Sequence, residues 1–194
     1  MITMRRSMKT RETLETHVKV DLEIDGSGKS SVNTGLGFLD HMLESVARHG
    51  LLDLEVEARG DLEVDDHHTV EDVALTLGEA LREALGDKSG IRRMAHAMVP
   101  MDDALATVAL DLSGRPYTVL ELEFDDAVIG DVKSQNIGHF IESLAVSAAM
   151  NIHASVRGRN DHHKAEALFK ALALAIRDAV RVEHGEIPST KGKL

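Results

Sequence analysis

Residues 65–85 read DDHHTVEDVALTLGEALREAL, and residues 160–181 read NDHHKAEALFKALALAIRDAVR. In both segments a pair of histidines follows residues that can cap a helix, and apolar residues then recur at helical spacing. The sequence therefore predicts helices over 68–85 and 162–181. Two helices that open with the same motif indicate an internal duplication.

The elements around these two helices repeat in the same order. Alternating apolar and polar residues predict strands, and a longer apolar periodicity predicts one further helix in each half. The predicted strands are 15–24, 29–34 and 52–58 in the first half and 104–112, 117–124 and 152–157 in the second, and the further helices are 38–49 and 136–150. Each half is thus predicted as strand, strand, helix, strand, helix.

The spacing of the histidines supports the duplication. His41 and His139 stand 98 residues apart, each near the start of the first predicted helix of its half. His67 and His162, which open the second helices, stand 95 residues apart. We predict a single domain over residues 1–194, of α/β class (an α+β sandwich), with pseudo-symmetric halves at about 10–92 and 93–187.

The composition excludes several classes of protein. The 194 residues include no cysteine, which removes disulfides, zinc-thiolate sites and thiol nucleophiles. A net charge of −11 argues against an extended nucleic-acid surface. No apolar run approaches the roughly 18 residues that a membrane-spanning helix needs, and no signal-peptide core follows the N-terminus. We therefore expect a cytoplasmic protein without a nucleic-acid or membrane partner.

The repeated His-His-x-x-Glu motif predicts metal binding. Helical residues at i and i+4 share a face, so the first histidine and the glutamate of each motif can converge on one ion, whereas the second histidine faces elsewhere and suits another ion. Nitrogen and carboxylate donors without thiolate suit Mn²⁺, Fe²⁺, Co²⁺ or Zn²⁺. The predicted ligands are His41, His67, His68, Glu71, His139, His162, His163 and Glu166.

These ligands divide into two sites of four, each keeping about two positions for water or substrate in an octahedral ion. A single His-His pair could equally be a helix cap or a pair of exposed polar residues. Two copies with the same glutamate offset inside a repeat favour metal binding. The sequence does not decide which four ligands serve which ion.

Three kinds of function are compatible with such sites. One is a metal-dependent lyase. Another is a binuclear hydrolase of a small phosphoester, for which we would expect two metals about 3.5–4 Å apart that share a bridging carboxylate. The third is a non-catalytic metal-binding assembly protein, whose sites would be closed by protein ligands.

Five segments give the chain a specific resemblance. They are residues 37–43 (GFLDHML), 65–72 (DDHHTVED), 111–117 (DLSGRPY), 160–170 (NDHHKAEALFK) and 188–192 (PSTKG). In this order they closely resemble the imidazoleglycerol-phosphate dehydratase family of histidine biosynthesis, and the likeness runs from Arg11 to the C-terminus. Met94, where the family often has an aromatic residue, is a minor departure.

The resemblance implies a fold, a reaction and an assembly. The expected fold packs a layer of four helices between two four-stranded sheets. The expected enzyme holds two Mn²⁺ per active site, forms a shell of 24 identical subunits, and has its active sites at subunit junctions. It removes water from D-erythro-imidazole-glycerol phosphate and yields imidazole-acetol phosphate.

The resemblance also implies roles for individual residues. Metal binding would favour the imidazolate form of the substrate, which can expel the hydroxyl group from the adjacent carbon; this is our hypothesis for the mechanism. Glu15 is the expected acid-base residue and substrate contact, and the ligands Glu71 and Glu166 complete the catalytic carboxylates. The expected phosphate-binding residues, of which the last two lie in a substrate-binding tail over 188–194, are Arg93, Arg115, Lys170, Ser189 and Lys191.

Overall fold

Two four-stranded β-sheets flank four α-helices in the computed structural model, which describes residues 5–183, 185–186 and 189. The first half contains β1 (Arg6–Glu12), β2 (Thr16–Glu23), β3 (Ser30–Asn33), α1 (Gly37–Gly50), β4 (Asp53–Gly60) and α2 (His67–Leu85). The second half contains β5 (Met94–Met101), β6 (Ala104–Asp111), β7 (Tyr117–Leu122), β8 (Val128–Ile129), β9 (Val132–Lys133), α3 (Ser134–Ala148), β10 (Asn151–Arg157) and α4 (Asp161–Ala179).

The two sheets have the same topology. Their strand orders are β1-β2-β4-β3 and β5-β6-β10-β7, so the first, second, fourth and third strand of each half follow one another across the sheet. The last pair is parallel in both sheets, and the other pairs are antiparallel. The predicted fold class, a duplicated unit with helices between two four-stranded sheets, is confirmed.

The predicted unit lacks the first strand of each half. These strands, β1 and β5, were not predicted because they have no regular apolar alternation. The inward-facing side chains of β1 include Lys9 and Arg11, which form ion pairs with Glu83 and Asp72 on α2. Ionic contacts therefore hold this edge strand against the helix layer, and hydrophobic periodicity does not mark it. In β5, Pro100 cannot donate a hydrogen bond, and it is tolerated because β5 is an edge strand.

The short β8–β9 hairpin was also not predicted from the sequence. This hairpin belongs to the second half and forms hydrogen bonds with the first half. Its turn residue Asp131 accepts hydrogen bonds from the backbone N–H of Gly37 (2.6 Å) and of Phe38 (2.9 Å) at the start of α1. The backbone N–H of Lys133 donates to Asp66, immediately before α2 (2.7 Å). The second half thus satisfies backbone and side-chain groups at the beginnings of both helices of the first half.

The helices pair across the halves. α1 packs on α4 and α2 packs on α3, so each pair joins a first helix of one half to the second helix of the other. Aliphatic side chains fill this layer, and the rings of Phe140 on α3 and Phe169 on α4 meet in it at 5.3 Å. None of the helices in the described ranges is long and apolar enough to cross a membrane.

Helices α2 and α3 approach each other closely at Gly78. A Cβ atom added to Gly78 would lie 2.7 Å from Ser147 Cβ and 2.8 Å from the carbonyl oxygen of Leu144. Both distances are shorter than van der Waals contact, and one of the atoms belongs to the backbone. The glycine therefore sets the spacing of this helix pair.

We expect Gly78→Ala to destabilise the protein. Alanine favours helix by about 1 kcal/mol over glycine, but overpacking costs about 1–3 kcal/mol, so the net loss of stability should reach about 2 kcal/mol. Gly138→Ala on α3 is the matched control, because its Cβ would meet atoms at 3.9 Å and beyond. Urea denaturation at one protein concentration should show a loss for the first variant and none for the second; equal effects would contradict the argument.

Candidate metal centre

The first cluster of ligands lies where α1 meets α4, and we call it the α1–α4 group: His41, His162 and Glu166. The Nε2 atoms of both histidines point at the same carboxylate oxygen. Glu166 Oε2 lies 3.2 Å from His162 Nε2 and 3.5 Å from His41 Nε2. As helix geometry predicts, the i and i+4 residues of α4 face one point.

The second cluster, the α2–α3 group, has the same composition: His67, Glu71 and His139. His139 Nε2 lies 3.2 Å from Glu71 Oε1, and the rings of His67 and His139 stack with their centroids 4.6 Å apart. Each group therefore combines a histidine from a first helix with a histidine and a glutamate from the second helix of the other half. Neither half contains a complete group.

The chemistry of the donors suits a divalent transition metal. In each group two imidazole nitrogens and a carboxylate oxygen lie within 4.8 Å of one another. Three protein ligands leave positions open in an octahedral or tetrahedral ion, which is what a catalytic site requires. The residues present therefore fit a metal ion.

Glu166 is ionised despite its burial. Burial alone would raise the pKa of this carboxyl group, but the ion pair with Lys170 and the neighbouring His41 leave its pKa below the ordinary value. Lys170 Nζ lies 2.7 Å from Glu166 Oε1, on the oxygen that the histidines do not face. The carboxylate thus presents Oε2 as a metal ligand.

The structure does not bring His68 and His163 into either group. His68 Nδ1 is 3.0 Å from Asp61, and His163 Nδ1 is 2.8 Å from Asp103. The hydrogen bond to Asp61 raises the pKa of His68, and the hydrogen bond from His163 is the largest cause that lowers the pKa of Asp103. In both cases the carboxylate fixes the ring and leaves Nε2 as the outward-facing nitrogen, an arrangement typical of metal-binding histidines.

Glu15 lies beside His68. Its carboxylate oxygen is 3.7 Å from His68 Nε2, and its side chain is 53% exposed. Any metal or substrate that reaches His68 Nε2 also reaches this carboxylate. In the second half Asp102 takes the equivalent position, 3.7 Å from His163 Nε2.

Two of the predicted phosphate-binding residues, Lys170 and Arg93, lie apart within one chain. Lys170 contacts Glu166 of the α1–α4 group, whereas the backbone N–H of Arg93 donates to Ala179 at the end of α4, about 13 Å further along the helix. The Arg93 side chain forms an ion pair with Asp111 at 2.7 Å. Of the other predicted members, Arg115 is exposed in the loop after β6, Ser189 is half-buried, and Lys191 is outside the described residues.

Sequence reasoning missed three orienting residues: Asp61, Asp103 and Asn136. Asn136 is buried on α3, and its Oδ1 lies 3.1 Å from His67 Nδ1. It stands three residues before His139, so the i, i+3 spacing on one helix face could have indicated it. Asp61 and Asp103 follow strands, and no spacing within the sequence links them to the histidines that they contact.

Comparisons with known proteins agree with this geometry. A family model described as imidazoleglycerol-phosphate dehydratase matches residues 34–176. The chain is 55% identical to the imidazoleglycerol-phosphate dehydratase of Methanococcoides burtonii, over 98% of this chain and all of the relative. It is 51% identical to that of Haloarcula marismortui, with each chain fully covered.

Solved structures give the same result. A crystal structure of IGPD from Pyrococcus furiosus matches with a TM-score of 0.83 at 37% identity, covering 96% of this chain and 100% of the other. The crystal structure of imidazoleglycerol-phosphate dehydratase from Staphylococcus aureus matches with a TM-score of 0.81 at 34% identity, covering 90% and 97%. The similarity therefore extends over the whole fold.

We expect Asn136→Ala to weaken metal binding at the α2–α3 group although it removes no ligand. Without the amide, His67 loses the hydrogen bond that orients its ring, and losses of this kind cost about 10–100-fold in metal affinity. Gln135→Ala, at the exposed neighbouring position, is the control. Equilibrium dialysis with Mn²⁺ measures both variants, and an unchanged affinity in Asn136→Ala would remove the residue from the site.

Proposed function

The chain belongs to the imidazoleglycerol-phosphate dehydratase family and is a hydro-lyase of histidine biosynthesis, and from this premise we propose that it works through two divalent cations at sites shared between subunits. The two convergent His/His/Glu groups carry the proposal. Family membership favours the dehydratase over the phosphoester hydrolase and over the non-catalytic assembly protein.

We propose Mn²⁺ as the cation, two per active site, held by the α1–α4 and α2–α3 groups. Cations held by these groups would supply Lewis-acid chemistry: they would stabilise negative charge on the substrate ring and so favour loss of the hydroxyl group from the adjacent carbon, together with a proton, as water. The chain's own contribution is to hold the histidine nitrogens and the carboxylate oxygens in place and to keep Glu166 ionised. The donor set supports Mn²⁺ and is also compatible with Fe²⁺, Co²⁺ and Zn²⁺.

We further propose that His68 and His163 serve as ligands for neighbouring copies of the chain. Two observations support this. Both rings are fixed by a carboxylate, yet each lies outside the groups of its own chain. The separation of Lys170 from Arg93 likewise supports a substrate site that is completed at a subunit junction. A 24-subunit shell accommodates such shared sites; this assembly and a cytoplasmic location stay predictions.

In this proposal Glu15 is the acid-base residue: it moves the proton that the substrate loses from carbon during the dehydration. Its carboxylate is exposed and not engaged by any of the three-residue groups, so it is available for acid-base work. If His68 enters a neighbouring site, then Glu15 enters with it. The phosphate would bind Arg93, Arg115 and Lys170 together with Ser189 and Lys191, through charge-assisted hydrogen bonds.

Glu15→Gln should abolish turnover while it leaves metal content and assembly unchanged. The amide keeps the size of the side chain but cannot accept or release the proton, so we expect kcat to fall by about 100-fold or more. Glu12→Gln, an exposed glutamate on β1, is the control. Product formation is followed with imidazole-glycerol phosphate, and an active Glu15→Gln enzyme would exclude Glu15 from proton transfer.

Arg115→Ala should raise KM for the phosphorylated substrate. A hydrogen bond to a charged group contributes about 1.5–3 kcal/mol, which corresponds to a change of about 10–100-fold. Arg82→Ala removes an exposed arginine from the end of α2 and should leave KM unchanged. Steady-state kinetics distinguishes the two, and a wild-type KM in Arg115→Ala would argue against a phosphate contact.

A further inference from the structure

We infer that the two groups are unequal: the α2–α3 group binds the first divalent cation, and the α1–α4 group binds the second at least about tenfold more weakly, because of Lys170 and Phe38. The inference rests on the proposed function, in which both groups hold a cation. It comes from comparing equivalent positions of the two halves, where the ligands are identical but their neighbours differ.

The first difference is the lysine on α4. Lys170 stands four residues after Glu166, and its Nζ lies 2.7 Å from Glu166 Oε1. The equivalent position on α2, four residues after Glu71, is Leu75. Among the described residues Glu71 forms no ion pair with a lysine or an arginine. One group therefore carries a permanent positive charge on its carboxylate, and the other does not.

This charge opposes cation binding. A cation held by Oε2 would share one carboxylate with the ammonium group on Oε1. Charges of +1 and +2 at about 5 Å repel strongly enough, even at the dielectric constant of water, to lower the affinity by about tenfold. Glu166 is only 11% exposed, so solvent screens this repulsion incompletely.

The second difference concerns the histidine rings. His67 is oriented by Asn136, and its ring stacks on His139. The position on α1 that is equivalent to Asn136 is Phe38, whose ring meets the His162 ring edge-on. A phenyl ring offers no carbonyl oxygen to an imidazole N–H, and within the described part of the chain the His162 ring is hydrogen-bonded to Glu166 alone.

One effect acts in the opposite direction. The Glu166 side chain is 11% exposed and held by Lys170, whereas the Glu71 side chain is 37% exposed, so Glu166 loses less freedom when a cation binds. Ordering one such side chain in advance gains at most about tenfold. The missing orienting hydrogen bond costs about 10–100-fold and the repulsion adds about tenfold, so the α2–α3 group remains the stronger.

Mn²⁺ binding to the metal-free, full-length protein tests the inference. Equilibrium dialysis at one protein concentration should give two ions per chain, in two classes whose dissociation constants differ by about tenfold or more. His162→Ala should remove the weaker class, and His139→Ala should remove the stronger one. The reverse assignment, or two classes of equal affinity, would overturn the inference.

Substitution of Lys170 tests the cause. Lys170→Leu, which installs the residue found in the other half, should strengthen the weaker class by about tenfold. The double variant Lys170→Leu/His139→Ala should keep this gain in affinity. The double variant Lys170→Leu/His162→Ala should lose it. Leu75→Lys should weaken the stronger class, and Lys19→Leu, which removes an equal charge from the outer face of the first sheet, should change neither. Thermal denaturation checks that each variant is folded, and Lys170→Gln provides a second neutral variant.

The outcomes separate the inference from the proposed function. Affinities in Lys170→Leu and Lys170→Gln that equal those of the wild type would overturn the role of Lys170, although two ions still bind. Fewer than two ions per chain, or binding that survives both His139→Ala and His162→Ala, would contradict the proposed metal sites themselves.

Discussion

The helices pair between the two halves of the chain and not within them, and we call this the crossed packing. It is the constraint on which the rest of the structure depends. Because α1 lies on α4 and α2 lies on α3, ligands from one half meet ligands from the other. Burial of aliphatic side chains supplies most of the energy for this packing but little directional information. Direction comes from features such as Gly78, where the lack of a side chain lets two helix backbones approach closely.

Polar contacts fix the helices along their axes. Asp72, buried on α2, accepts hydrogen bonds from Arg11 on β1 and from Thr16 on β2, so the helix cannot slide over the first sheet without leaving a buried charge unpaired. Asp131 holds the start of α1 in a similar way, from the other half of the chain. The ligand-bearing turns of α1 and α2 lie close to these anchors, which explains how a metal group can keep its geometry.

Much of the fold could be predicted because the residues that build it repeat. The apolar periods of the helices and the central strands are local, and the matching His-His-x-x-Glu motifs revealed the duplication. β1 escaped prediction because its inward face is ionic, and the β8–β9 hairpin because two-residue strands have no period. The pairing of His41 with Glu166 and of His139 with Glu71 depends on helix crossing, which no local pattern contains. Likewise, the contacts of Asp61, Asp103 and Asn136 with histidines join distant parts of the chain.

The crossed arrangement has a consequence for the origin of the enzyme. A single ancestral unit could not have assembled a metal group alone, but two copies related by a twofold axis would have formed two identical ones. Fusion of two such copies into one chain removes the requirement that the sites be the same. A lysine could then enter one site, and an orienting amide the other, without appearing in both. The duplication thus gave each site the freedom to change independently of its twin.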